Sequence, residues 1–180
     1  MKNLYIIILI VILFFCSGAK DSIINIAVSY QPNVEKLEQI FKTHLPIKEG
    51  IIYTKVPRGL VLSIDERWFF NKGEARIKES SLCILDTIAV LLTNLPNYCV
   101  IENHTGEENF ENSDYKENWE LSIARASNIA EYLVKYKHLH IKKVFPLGYG
   151  EFMPFKDNVG ESVGMDNRVD FVIIEYDAKR

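Results

Sequence analysis

The sequence predicts an α/β sandwich, one β-sheet covered on one face by helices, behind a short export leader. Strand-type runs alternate with two stretches of helical periodicity from Gly59 onward. Glycine and polar segments separate those runs. The first residues set a lysine ahead of an unbroken apolar run. A chain of 180 residues fits one compact domain plus an address segment. Hydrophobic residues at 48% and charged residues at 25% suit a globular body. The formal charge of -3, with both signs interspersed, provides no basic stripe for phosphates and excludes nucleic acid as a partner. No repeat suggests a solenoid.

Met1-Lys2-Asn3 precedes the twelve apolar residues Leu4 to Phe15, followed by Ser17, Gly18 and Ala19, which is a secretory layout. The run is shorter than the roughly 20 residues that span a bilayer comfortably. Two fates fit: cleavage after Ala19, whose small side chain and that of Ser17 suit a signal peptidase, or lipidation of Cys16 as a lipoprotein. The chain then divides into a leader (1–19), an N-terminal segment or linker (20–55) and a domain (56–180). In the segment, Val34, Leu37, Ile40 and Phe41 have helical spacing, and Ile51-Ile52-Tyr53 is strand-like.

In the domain, Leu60-Val61-Leu62-Ser63-Ile64 reads as a buried strand, and Trp68-Phe69-Phe70 leads to the turn Asn71-Lys72-Gly73. Leu82, Leu85, Ile88, Ala89 and Leu92 mark one face of a helix that Pro96 stops. Cys99-Val100-Ile101 begins the second strand. Cys83, early in that helix, and Cys99, after its end, lie too far apart for the Cα separation of at most about 7 Å that a disulfide needs. The polar stretch Gly106 to Glu117 is a surface loop. A second helix starts at Asn118, a good N-cap type, and runs to about Lys137 with Ile123, Ala126, Ile129, Ala130 and Leu133 facing the core. Val144 opens a third strand, and Val169 to Ile174 form the last, giving the order β-α-β-α-β-β.

Asn118, Ser122 and Arg125 are spaced i, i+4, i+7 and are expected to form a polar stripe away from the apolar residues of that helix. No catalytic arrangement is visible. Ser80, Ser81 and Ser122 lack a Gly-x-Ser-x-Gly elbow, and Gly148-Tyr149-Gly150 lacks the lysine and helix start of a phosphate loop. His44, His104, His138, His140 and Cys99 show no recognised zinc spacing, so neither a metal nor a cofactor is expected.

Five segments occur in order with suitable gaps. They are Gly59-Leu60-Val61-Leu62 before an aromatic turn, His104-Thr105, Asn118-x-x-Leu121-Ser122-x-x-Arg125-Ala126, Gly148-Tyr149-Gly150-Glu151 and Asn167-Arg168-Val169. Together they resemble the OmpA-like domain shared by outer-membrane proteins, peptidoglycan-associated lipoproteins and flagellar MotB proteins, over about two thirds of the chain. Asn118-Trp119-Glu120-Leu121-Ser122 is most similar to the MotB branch. A stator subunit carries an Asp in its membrane helix, however, and Leu4 to Cys16 holds no carboxylate, so a motor role is not expected.

The resemblance implies a mixed sheet with helices on one face and a non-catalytic protein that binds peptidoglycan. The implied location is the periplasm, attached to the outer membrane. The implied ligand contacts are Thr105, Asn118, Leu121, Ser122, Arg125 and Arg168. A guanidinium suits a stem-peptide carboxylate because its planar fork donates two parallel hydrogen bonds. The family's Asp after His-Thr, which receives the ammonium of the diamino acid, is Gly106 here, and Glu107 is the substitute anion. Implied partners are peptidoglycan and a membrane, reached through Cys16 or the N-terminal segment. A rival reading keeps the fold as a scaffold for an envelope protein or a second copy, with wall binding lost through the Asp-to-Gly change.

Overall fold

A computed structural model describes residues 33–47, 49–106, 114–155 and 165–175. Cys16, Glu107 and the whole leader lie outside the described residues. The elements run α1 (Val34–His44), β1 (Ile51–Val56), β2 (Gly59–Asp65), α2 (Leu82–Asn94), β3 (Tyr98–His104), α3 (Asn118–Glu131), β4 (Val144–Gly148) and β5 (Arg168–Ile174). A π-helical turn, Tyr132–Tyr136, continues α3.

The sheet order is β1-β2-β5-β3-β4. It is mixed: only β3 and β4 pair in parallel, and the other three pairings are antiparallel. One face is the core face. It carries Leu60, Leu62 and Ile64 of β2, Val169, Phe171 and Ile173 of β5, and Cys99 and Ile101 of β3, and these cluster with buried residues of all three helices. Alternation along the strands sends Ser63, Glu102, His104, Arg168 and Asp170 to the opposite face, which is helix-free among the described residues.

Residues 34–55, read from sequence as part of an N-terminal segment, contribute a helix and all but the last residue of an edge strand to this body. Asn33 caps α1 by accepting from the Lys36 N–H at 3.1 Å, and Leu37 and Phe41 are fully buried. Ile51 to Val56 pair with Ile64 to Gly59, so the sheet has five strands where the reading from Gly59 onward counts four. Six residues long and with only half-buried side chains, β1 gains its stability from the β2 ladder, which local periodicity does not report.

Two expectations about α3 are corrected. Ile123 is 36% exposed and not in the core, because its backbone lies against Gly148 of β4: a Cβ on Gly148 would come within 2.3 Å of the Ile123 nitrogen. That close approach leaves the Ile123 side chain no room beneath the helix. Asn118 is the first helical residue and not the cap, a position Glu117 takes in extended conformation without a side-chain cap bond. Asn118 instead donates through Nδ2 to Glu151 Oε2 at 2.8 Å. No disulfide joins Cys83 and Cys99. Cys99 is fully buried, Cys83 only partly so.

Candidate functional site

The motif residues converge where β3 ends and α3 begins. Thr105 is tied there from both sides. Its N–H donates to the Gly150 carbonyl at 3.1 Å, and its Oγ1 accepts from Arg125 Nη1 at 3.0 Å and lies 2.8 Å from Asn103 Oδ1. Ser122 donates to the Asn103 carbonyl, which also accepts from the Tyr149 N–H at 2.9 Å. Three segments far apart in sequence are thus fastened together.

Arg125 is where the sequence reading and the structure part. The stripe of Asn118, Ser122 and Arg125 does not form a solvated face. Ser122 is fully buried and Arg125 is 1% exposed. The guanidinium meets Glu66 Oε2 at 2.8 Å through Nη1, the Glu74 carbonyl at 2.8 Å through Nε and the Asn71 carbonyl at 3.2 Å through Nη2, and it lies over the Phe70 ring at 5.2 Å. A buried guanidinium is tolerable only with such compensation, since the effective desolvation penalty is several kcal/mol per ion. The cause of the misreading is visible in the spacing. Ser122 stands four residues before Ala126 and seven before Ile129, and Arg125 four after Leu121 and four before Ile129, so both border the apolar stripe. Leu121, expected to touch ligand, is fully buried.

Gly106, at the position of the missing Asp, donates its N–H to Asn167 Oδ1 at 2.5 Å, and the same oxygen would be 2.7 Å from a Cβ placed there. Any side chain at residue 106 therefore requires Asn167 to turn away.

Arg168 lies on the other face of the sheet. It is 5% exposed, bonds Asp170 Oδ2 at 3.0 Å through Nε, reaches the Met165 and Met153 carbonyls at 3.3 and 3.2 Å, and stacks on Phe155 at 5.1 Å. That is a bracing role for the chain on both sides of residues 156–164. Asp170 is buried, which alone would raise its pKa, but neighbouring His104, Arg168 and Ser63 outweigh burial and hold the carboxyl below the usual range. Cys99 has its thiol pushed well up by burial and by Glu102, so it is an inert core residue.

Sequence reasoning missed Glu66, Asn103, Glu151 and Asn167 as members of this network. Glu151 and Asn167 stood in recognised motifs. Glu66 carried no signal, because its partner is 59 residues away. Among the described residues, no helix is long and apolar enough to cross a membrane.

The sequence profile of the OmpA family matches residues 69–168. Two Bacillus subtilis proteins are similar. The uncharacterized protein YtxE is 38% identical over 117 residues, covering 64% of this chain and 48% of its own length. Motility protein B is 32% identical over 118 residues, covering 64% of this chain and 45% of its own length. The chain thus spans about half the length of these curated relatives. Among solved structures, the cell wall anchor of the T6SS from Pseudomonas aeruginosa superposes with a TM-score of 0.64 at 19% identity, over 82% of this chain and 100% of that one, a likeness of fold.

Proposed function

The chain belongs to the OmpA family, and on that premise we propose that it is a non-catalytic peptidoglycan-binding protein of the cell envelope, which anchors a membrane or envelope component to the wall by recognising the diamino acid of stem peptides. The observation that carries this reading is the convergence of Thr105, Asn118, Ser122 and Arg125 at one end of the sheet, inside the segment that matches the family.

On this reading the site opens as ligand arrives, since Thr105 and Arg125 are as buried as Leu121 and Ser122, and the ligand's carboxylate then engages Arg125 in competition with Glu66. Asn118 supplies a neutral hydrogen bond. Leu121 and Ser122 form the floor that the ligand meets once the site is open, and Arg168 braces the site from behind. Glu107 receives the ammonium. Export to the periplasm, and attachment to a membrane through Cys16 or the N-terminal segment, belong to the same proposal, as does the placement at the outer membrane.

Sedimentation with purified sacculi tests it. Wild-type protein is expected to co-sediment, and Glu107→Ala to bind more weakly by about 1–3 kcal/mol, the scale of a lost charge-assisted hydrogen bond. Binding unchanged by Glu107→Ala contradicts the assignment of the anion. Absence of wild-type binding contradicts wall recognition and leaves the scaffold reading. One observation favours that second reading: Asn167 Oδ1 already occupies the space and the N–H of Gly106, where the family's anion is rooted.

A further inference from the structure

On the helix-free face, cross-strand pairing puts Ser63, Asp170 and Glu102 in one row and His104 opposite Arg168 in the next. Glu102, His104 and Asp170 each offer one metal-ligating atom, and these atoms lie within 4.8 Å of one another. All three residues are buried, at 4%, 2% and 5% exposure. Burial makes their pairing consequential, because an unpaired buried polar atom costs about 1–3 kcal/mol. Yet among the described residues His104 Nδ1 and Nε2, Asp170 Oδ1 and Ser63 Oγ make no well-directed hydrogen bond, although His104 and Ser63 lie close enough to Asp170 to hold its pKa down. His104 Nε2 does stand 3.2 Å from Asp170 Oδ2, but off the hydrogen-bonding direction, and that oxygen already accepts from Arg168. The imidazole is held in place by Tyr149, stacked on it at 5.0 Å and 12°.

We propose that Glu102, His104 and Asp170 form a binding site for a divalent transition-metal cation of the zinc type, built on β3 and β5, on the opposite face of the sheet from the proposed wall-binding residues. One imidazole nitrogen and two carboxylate oxygens suit such an ion better than magnesium or calcium, which prefer oxygen throughout. Of the three, Asp170 faces an open cavity of about 470 Å³ that Ser63 and Arg168 also line, so an ion reaches the cluster from the Asp170 side. Ligand atoms around a shared zinc ion stand about 3–4 Å apart, so the trio must close slightly. Glu102 is the member free to do so. It is held by Arg58, with Nη1 3.0 Å from Oε1, and the Arg58 side chain is 51% exposed and can swing into solvent. Arg58 is therefore the ion's competitor, while Asp170 can offer Oδ1 and keep Arg168 on Oδ2.

Isothermal titration of chelator-treated full-length protein with Zn2+ tests this. Wild type is expected to bind one equivalent more than His104→Gln, and to gain thermal stability from the ion that His104→Gln does not. In Asp170→Asn and Glu102→Gln the affinity should fall by more than the roughly 10–100-fold that loss of an outer-shell partner costs. Arg58→Ala, altering an exposed residue, should bind more tightly because the competing cation is gone. His44, His138 and His140 are common to all these variants, so zinc held by them does not affect the difference. Equal stoichiometry in wild type and His104→Gln, an Arg58→Ala variant that binds no more tightly, or no wild-type binding would each overturn the site.

Discussion

Two polar clusters sit back to back across the same end of the sheet and differ in how they are satisfied. On the helix face, Arg125 is surrounded by Glu66, Thr105 and the carbonyls of Asn71 and Glu74, all within 3.2 Å. On the helix-free face, His104 and one oxygen of Asp170 are equally buried and lack well-directed hydrogen bonds. A fully connected buried network stiffens what it joins, whereas a partly connected one leaves capacity for something else. The first cluster fastens the ends of β3, α3 and the turn after β2. The second is where an added ion has atoms to bind.

Substitutions should separate the two clusters by size of effect. Arg125→Ala should destabilise the fold by about 3–5 kcal/mol in urea unfolding, since it strands the buried Glu66 carboxylate. Joint replacement of Arg125 and Glu66 by apolar residues of similar volume should recover most of that loss. Asp170→Asn should cost less, about 1–3 kcal/mol near pH 7. Its sign with pH follows from the lowered pKa of Asp170. The carboxylate's contribution is present above the unfolded value of about 3.9 and is lost as pH falls through the folded value, so the wild-type and Asp170→Asn stability curves should converge below about pH 4. His104→Phe, in chelator-treated protein, should cost less than Asp170→Asn, because a phenyl ring keeps the stacking on Tyr149 and what is lost is the poorly directed contact with Asp170. A penalty as large as that of Arg125→Ala would remove the contrast.

Much of the fold was legible because strands of β-branched and aliphatic residues and two periodic helices announce themselves locally. What escaped was set by pairing at a distance. Ile51-Ile52-Tyr53 reads as strand-like, but its membership of this sheet is set by the hairpin ladder to β2, and Ile123 faces outward because Gly148, 25 residues on, admits the helix backbone. At the site, the motif residues do gather at one end of the sheet, but polarity was a poor guide to their exposure. Arg125 and Ser122 were assigned to water for being polar, while their spacing from Leu121, Ala126 and Ile129 put them beside the core. The Glu102, His104 and Asp170 cluster could not be found by motif at all: Asp170 is 66 residues beyond His104, and only the antiparallel register of β3 and β5 joins them.

The direct measurement is equilibrium binding of the full-length protein to a soluble stem peptide that ends in a free diamino acid, beside the same peptide with its side-chain ammonium acetylated. The expected result is binding of the free peptide and a loss of about 1–3 kcal/mol, roughly 5- to 150-fold in Kd, on acetylation. Equal affinity for the two peptides, or none for either, would contradict recognition of the diamino acid.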